Sequence, residues 1–163
     1  MKTTLIWKKG FFKKTYEIYS NDTQIGKLVE NTSCSSAEGE INNKKYQFKT
    51  LGFFKQKTQI IDPESNSVIG TIVYSTFMTR ATIEYLGQIA YWRYDNIWNT
   101  KSSITDNFGN LISFHGSSSN GELEFDQPND LLVLTGLYVT NYYWQMTVVT
   151  SIIIFIPILT IMF

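Results

Sequence analysis

The feature that most constrains this chain is its C-terminal stretch from Leu131 to Phe163, which contains no charged side chain. One helix over that length would measure roughly 50 Å, whereas about 20 residues suffice to cross the hydrocarbon core of a bilayer. The stretch is therefore too long to be one simple membrane span. Apolar side chains also occur on every side of it, so protein or lipid must enclose it.

The rest of the composition indicates one ordered domain. The 163 residues are enough for a single core, and the 15% aromatic content with only three prolines favours an ordered sheet protein over a disordered chain. The single cysteine, Cys34, excludes an internal disulfide and a cysteine-based metal cluster. Lysines directly after Trp7 interrupt the apolar start, so no secretion signal is expected and the bulk of the chain is placed in the cytosol.

Before the C-terminal stretch, short segments of alternating apolar and polar residues are separated by turn signals. Residues 45–49 and 122–126 alternate most clearly, as strands with one buried and one wet face do. Repeated short strands with regular turns are typical of a closed or sandwiched antiparallel sheet. The pattern predicts about twelve strands, near residues 3–7, 15–20, 23–31, 36–42, 44–51, 57–62, 68–75, 80–86, 88–95, 101–106, 111–117 and 121–126.

Turn and capping signals set the limits of these elements. Asp62 and Asp106 each close a predicted strand and precede a turn segment, so we interpret them as turn formers that bond their own backbone. Pro128 cannot donate to a strand ladder and ends the sheet, and the Asn and Asp that follow it are good N-caps. The sequence therefore predicts that a helix begins at about Asp130.

The order of these elements resembles the Tubby C-terminal-like superfamily, which includes Tubby proteins, phospholipid scramblases and LURP-one-related proteins. The resemblance rests on about twelve short strands in hairpins, the steps Ile25-Gly26 and Ile69-Gly70, and the apolar helix that starts in residues 129–138. It implies a mainly β fold in which a twelve-stranded antiparallel barrel surrounds a hydrophobic C-terminal helix. The implied barrel covers nearly the whole chain to about Trp144.

The barrel interpretation divides the chain into two parts. Strands of six to eight residues give a wall about 20 to 26 Å tall, which a helix of roughly 15 residues crosses. We therefore expect a barrel domain over residues 1–145, with its central helix at about 130–145. Residues 146–163 would continue the helix as a hydrophobic tail and are expected to anchor the protein in a membrane. A tail that folds back over the barrel rim, or packs against another copy, stays open as an alternative.

Two further features bear on this membrane hypothesis. Tyr142, Tyr143 and Trp144 are expected to form an aromatic belt where protein gives way to lipid. Pro157 is tolerable in a membrane helix and would kink it. Lysines and arginines are absent after the tail, so the positive-inside tendency places the barrel on the cytosolic side.

A basic region is the second feature with chemical content. Residues 1–57 carry 11 lysines against 5 acidic residues, whereas the whole chain is neutral. Lysines near an anionic surface contribute ~1 kcal/mol each, and neighbouring phenylalanines can enter the interface. The expected lipid-binding residues, placed at one end of the barrel, are Lys8, Lys9, Lys13, Lys14, Lys44, Lys45, Lys55 and Lys57. An ordinary solvated face explains the same lysines and stays open.

Signals for catalysis and for nucleic-acid binding are weak. The only histidine, His115, lies in a strand, where a wall residue is commoner than a base with positioned partners. The chain has no GxSxG, P-loop, HExxH or CxxC motif. Its pI of 6.6 lacks the basic excess of a nucleic-acid-binding domain. We therefore expect no enzyme, no cofactor, no metal site and no nucleic-acid partner.

The leading hypothesis is a non-enzymatic, membrane-associated barrel whose cytosolic domain binds anionic lipid head groups. A soluble structural or protein-interaction module, with helix and tail packed on protein, is the competing interpretation. A scramblase-like lipid mover follows only from the resemblance, and the acidic calcium-binding segment expected near the end of a scramblase is not visible in this sequence.

Overall fold

The structure is a computed structural model that describes residues 2–10, 14–31, 35–52 and 57–161, without the side chains of residues 149, 150 and 152–161. In these ranges the chain forms the strands β1 (Thr3–Lys9), β2 (Thr15–Ser20), β3 (Thr23–Glu30), β4 (Ser36–Ile41), β5 (Lys44–Leu51), β6 (Lys57–Asp62), β7 (Ser67–Tyr74), β8 (Arg80–Tyr85), β9 (Gln88–Tyr94), β10 (Lys101–Asp106), β11 (Leu111–Gly116) and β12 (Asn120–Phe125), followed by the helix α1 (Asp130–Ile161). Each strand pairs antiparallel with the next, and β1 closes the barrel on β12. The predicted mainly β fold, a closed twelve-stranded barrel with a C-terminal helix, is confirmed.

The barrel interior is built by side chains at every second strand position. In β1, Leu5 and Trp7 are buried while Ile6 and Lys8 point outwards. Burying a large aliphatic or aromatic side chain stabilises the fold by roughly 1.5–3 kcal/mol. Fully buried side chains that line the interior include Ile18, Leu28, Ile41, Phe48, Ile60, Ile72, Ile83, Trp92, Ile104 and Leu123. The inner face of the wall is therefore apolar, and an apolar element must fill the interior of the barrel.

Helix α1 fills this interior and begins where the sequence predicts. The Asn129 side chain caps it by accepting a hydrogen bond from the Leu132 backbone N–H at 3.1 Å. Leu134 is fully buried and lies over Gly39, where an added Cβ would approach the Leu134 side chain to 3.0 Å. Because the apolar side chains of α1 contact strands all round, the helix needs no polar face in this part.

The polar contacts of α1 show which end of the barrel it leaves. At its start, the Asp130 carboxylate accepts a hydrogen bond from Asn42, in the hairpin between β4 and β5, at 2.9 Å. Near the other end, Gln145 donates to Glu30, the last residue of β3, at 3.0 Å. The loops that follow odd-numbered strands, with the strand ends beside them, form the exit rim. The loops and chain segments at the other end form the opposite rim.

Beyond the exit rim α1 continues to Ile161, so the stretch from Met146 extends the helix by about 24 Å. Among the residues that the structure describes, no helix is long and apolar enough to cross a membrane. The hydrophobic tail that we expect to act as an anchor consists mostly of side chains outside the described set, so the anchor stays a prediction.

The hairpins explain the residues that the sequence marks as turn formers. Asp62 Oδ1 accepts a hydrogen bond from the Glu64 backbone N–H at 3.0 Å, and Asp106 Oδ1 accepts from that of Phe108 at 2.9 Å. Both carboxylates thus bond the backbone two residues on, as predicted. The hydrogen bond from the Ser65 hydroxyl, followed by that from the Glu64 backbone N–H, lowers the pKa of the Asp62 carboxyl.

The two Ile-Gly steps are β-bulges at related places in the barrel. The register between β2 and β3 shifts at Ile18, and that between β6 and β7 shifts at Ile60, which lie opposite Gly26 and Gly70 respectively. A Cβ at either glycine would lie 2.6 Å from a backbone carbonyl oxygen of the next strand. Only glycine therefore allows the neighbouring strand to pair this closely after a bulge.

We expect Gly26→Ala and Gly70→Ala each to lower the free energy of unfolding by about 1–3 kcal/mol, because backbone must move to admit the methyl group. Urea unfolding followed by circular dichroism measures the loss. Lys27→Ala, at an exposed neighbour in β3 with only a surface ion pair, is the control and should cost less than about 1 kcal/mol. Alanine variants as stable as the control would contradict this account of the bulges.

Candidate functional site

The structure places only part of the predicted lysine cluster at the exit rim. Lys14 and Lys57 are exposed there, and Lys8 is exposed on the outer wall next to the last residue of β1. Lys9 is also at this rim, but its ammonium group points into the barrel mouth and contacts buried groups. Lys14 and Lys57 are thus the predicted lysines best placed to meet a surface that approaches the rim.

The prediction that all these lysines share one end needs correction for Lys44 and Lys45. They lie at the opposite rim because their hairpin follows β4, an even-numbered strand. The Lys44 ammonium lies 3.4 Å from the Asp130 carboxylate, at the start of α1. Lys13 and Lys55 lie outside the described residues.

The two rims carry opposite charge. Among the described residues, the exit rim holds the basic residues Lys9, Lys14, Lys57, Arg80 and Lys101 and the acidic residues Glu30 and Asp95. The opposite rim holds the basic residues Lys2, Lys44 and Lys45 and the acidic residues Asp22, Asp62, Glu64, Asp106, Asp126 and Asp130. Both exit-rim carboxylates are engaged, Glu30 with Lys9 at 3.1 Å and Asp95 with Arg93 at 3.0 Å. The exit rim is therefore the end that attracts an anionic surface.

Large apolar side chains are also exposed at the exit rim, on the loops next to Arg80 and Lys101. Phe77, in the loop between β7 and β8, is 85% exposed, and Ile97 and Trp98, between β9 and β10, are 87% and 77% exposed. Isolated exposed apolar residues are ordinary, but three of this size on adjacent loops at one end of a barrel are not. The opposite rim also exposes Leu86 and Phe108, there among carboxylates.

The loops that present these side chains are internally bonded. The Ser75 hydroxyl accepts hydrogen bonds from the backbone N–H groups of Thr79 and Arg80, at 3.3 and 3.1 Å. The Asn96 side-chain oxygen accepts from those of Thr100 and Lys101, at 3.0 and 3.1 Å. Because serine and asparagine satisfy the turn backbone locally, the large apolar side chains are held outside the barrel.

The aromatic residues expected at a membrane interface are placed differently. Tyr142 and Tyr143 are buried inside the barrel, and only Trp144 of the three is partly exposed. The Tyr142 ring stacks on Tyr74 with centroids 4.1 Å apart, and the Tyr143 hydroxyl donates to the Arg80 carbonyl. These two tyrosines are core residues because the helix is still enclosed at this height.

Burial also fixes the protonation of Tyr143. Desolvation raises the pKa of its hydroxyl to about 12, against a smaller lowering by the hydrogen bond from Ser75. The phenol therefore stays neutral near pH 7 and keeps donating to the β8 backbone. This contact ties α1 to the wall at the exit rim without introducing a charge.

A polar cluster closes the barrel mouth on the other side of α1. Lys9 Nζ donates hydrogen bonds to Glu30 Oε2 at 3.1 Å, Tyr16 Oη at 3.2 Å and Asn141 Oδ1 at 3.3 Å. Tyr16 donates to the same Asn141 oxygen at 2.6 Å, and Gln145 donates to the second Glu30 oxygen at 3.0 Å. Burial, followed by the Glu30 charge, raises the pKa of Tyr16. All three ammonium hydrogens of Lys9 are thus used, so its role is structural.

His115, the only histidine of the sequence, is the one imidazole available as a catalytic base. His115 is exposed on the outer face of β11, and no group of three His, Cys, Asp or Glu side chains in the described ranges could hold a metal ion. Sequence reasoning missed Phe77, Ile97, Trp98, Arg80 and Lys101 as rim residues. The available signal was a large apolar residue inside a turn segment after an odd-numbered strand.

Comparisons with known proteins give no match for this chain among family models, curated proteins or solved structures.

Proposed function

We propose that this protein is a non-enzymatic membrane-docking barrel whose exit rim lies on an anionic lipid surface. The observation that carries the proposal is the exposure of Phe77, Ile97 and Trp98 at the same end of the barrel where α1 leaves it. Amphipathic and aromatic side chains in this arrangement enter the boundary between head groups and acyl chains. The apolar tail beyond Met146 would enter the same bilayer.

Charge and position support the same orientation. The basic side chains of Lys57, Arg80 and Lys101, at the starts of β6, β8 and β10, lie at or next to the apolar loops, and Lys14 lies elsewhere on the same rim. Each contributes ~1 kcal/mol near an anionic leaflet. Anionic lipid is characteristic of the cytosolic leaflet. A barrel anchored at the cytosolic side of a membrane would therefore meet a negatively charged surface, which its basic exit rim attracts.

The apolar contribution should be the larger one. Moving a side chain of this size fully out of water contributes roughly 1.5–3 kcal/mol, so three contribute roughly 5–9 kcal/mol. The four basic groups contribute ~4 kcal/mol together at low salt, and salt screens exposed charges over ~10 Å at 0.1 M. Docking should thus weaken with salt but persist. The resemblance to the Tubby C-terminal-like superfamily supports the same role, because Tubby domains bind phosphoinositides.

The test is to measure how deeply the rim enters lipid, using the full chain. Cys34 is the only cysteine, so Cys34→Ser provides a background for single spin labels. We expect labels at Phe77→Cys, Ile97→Cys and Trp98→Cys to become accessible to oxygen and protected from a water-soluble nickel complex in anionic vesicles, because these loops leave water. Phe108→Cys is the matched control, since its side chain is equally exposed at the opposite rim.

The outcome that would contradict the proposal is equal accessibility of all four labels to the nickel complex. In that case the soluble interaction module is the better interpretation, and the exposed rim would serve a protein partner. If the labels inserted equally into neutral and anionic vesicles, the basic side chains would not contribute to docking and the apolar loops alone would drive it.

A further inference from the structure

A groove of about 800 Å³ lies on the outer wall where β2, β1, β12 and β11 run side by side. Gly10, Gly116 and Ser119 line its edge, so the groove opens towards the exit rim. It is a shallow groove, open to solvent, with room for a small head group. The groove is separate from the apolar loops, which belong to other strands.

The strand register brings charged side chains of both signs into this groove. Lys8 lies opposite Glu17 on β2 and opposite Asn120 on β12. His115 lies opposite Glu122 on the neighbouring pair of strands. Directly opposite residues in an antiparallel pair have Cβ atoms about 4.5–5.5 Å apart, and neighbouring strands lie about 4.8 Å apart. Lys8 on β1 and Glu122 on β12 can therefore reach one small ligand, whereas Glu17 and His115 flank them on β2 and β11.

The arrangement of charges fits a zwitterion better than a simple ion. A purely anionic ligand would meet the carboxylates of Glu17 and Glu122, and a purely cationic one would meet Lys8. The Lys8 ammonium lies 5.3 Å from the centre of the Tyr19 ring, and the Tyr19 hydroxyl donates to Glu17 at 2.8 Å. These contacts orient the carboxylate on one wall of the groove, and the imidazole of His115 lies on the other side.

The height of the groove on the barrel wall indicates the source of such a ligand. Its charged side chains lie one to three residues from the exit rim, roughly 3–10 Å along the strands. The head-group region occupies about 5–8 Å on each side of the hydrocarbon core. When the rim rests on a bilayer, the groove is therefore at the level of the lipid head groups.

We propose that this groove binds the phosphoethanolamine head group of a membrane lipid, with the phosphate beside Lys8 and Asn120 and the ammonium beside Glu122. The inference rests on the proposed docking of the exit rim. A primary ammonium donates three hydrogen bonds, and the two oxygens of the Glu122 carboxylate can accept from it. A quaternary ammonium is bound by aromatic cages, whereas no Phe, Tyr or Trp is among the described residues that line this groove, and Tyr19 lies beside it.

The single histidine supplies a direct readout. We expect the imidazole ¹⁵N signals of His115, in the full chain held in a maltoside detergent, to shift saturably as glycerophosphoethanolamine is added. Lys8→Ser and Glu122→Gln should each weaken this binding roughly tenfold, as expected for loss of a charge-assisted contact. Lys45→Ser, at the opposite rim, is the matched control and should leave the binding unchanged. Glycerophosphocholine and inorganic phosphate should each bind at least about tenfold more weakly, since each lacks one set of these contacts.

Three results would overturn the inference. They are an absence of saturable shifts, equal binding of inorganic phosphate, and equal binding of the choline compound. The spin labels on the apolar loops report rim docking separately. If the labels enter lipid but glycerophosphoethanolamine causes no saturable shift of His115, only the groove proposal is wrong. If the shift is saturable but the labels stay in water, rim docking is wrong and the groove remains a site for the soluble compound.

Discussion

A Leu134→Asp variant should fail to form the barrel. Leu134 is fully buried near the middle of the enclosed part of α1, against Gly39 of β4. An unpaired charge there costs several kcal/mol, which is comparable to the ~5–15 kcal/mol stability of a whole domain. Near-ultraviolet circular dichroism and thermal unfolding should both show loss of the cooperative fold.

Leu134→Met is the control for this prediction, because it conserves volume and should cost less than about 1.5 kcal/mol. The comparison separates burial of a charge from a general sensitivity of the helix to substitution. An aspartate variant that melts cooperatively near the wild-type temperature would mean that α1 is not the core of the barrel.

The strands and the start of the helix could be predicted because their signals are local. Leu5 and Trp7 are buried and alternate with exposed Ile6 and Lys8. Such alternation follows from the two-residue period of a strand with one face in water, so it can be read from neighbouring residues alone. The cap at Asn129 needs only the chemistry of its own side chain. Those signals act over a few residues and do not depend on where the strands lie in the barrel.

The ends of the barrel depend on topology, and there the sequence interpretation failed in part. Lys44 and Lys45 were expected beside Lys8, but antiparallel pairing sends the β4–β5 hairpin to the opposite rim. The same parity places Phe77 and Trp98, which follow β7 and β9, at the exit rim. Counting the predicted strands after Lys8 and Lys9 would therefore have placed Lys44 and Lys45 at the opposite rim and Phe77 and Trp98 at the exit rim, provided that no strand was missed.

The depth of Tyr142 and Tyr143 could not be predicted for a different reason. Aromatic residues before an apolar run suit either a membrane interface or a packed core. The choice depends on the height of the wall around the helix, to which the loop segments contribute. Ser75 lies in the β7–β8 loop and Arg80 begins β8. Their backbones contact the Tyr143 hydroxyl, so the wall encloses the helix up to this residue.

The buried ion pair at the barrel mouth leads to the second large effect that we expect. Lys9→Met should lower the free energy of unfolding by about 3 kcal/mol, the low end of the range for breaking a buried pair. The low end applies because a fifth of the Lys9 side chain remains exposed, whereas Glu30 is nearly enclosed. Without Lys9, the Glu30 carboxylate loses its ion pair and keeps the hydrogen bond from Gln145, and the Asn141 oxygen keeps that from Tyr16. Urea unfolding of the full chain measures this loss.

The double variant Lys9→Met/Glu30→Gln determines whether the loss comes from the stranded Glu30 charge or from other contacts of the Lys9 ammonium. Glutamine at position 30 keeps an oxygen that can accept from Gln145 but carries no charge, so most of the 3 kcal/mol should return. If the double variant were as unstable as Lys9→Met, the ammonium would act through Tyr16, whose ring centre lies 4.4 Å from Lys9 Nζ. If Lys9→Met alone cost under about 1 kcal/mol, the cluster would behave as a surface ion pair, and α1 would depend on its apolar side chains alone to stay in the barrel mouth.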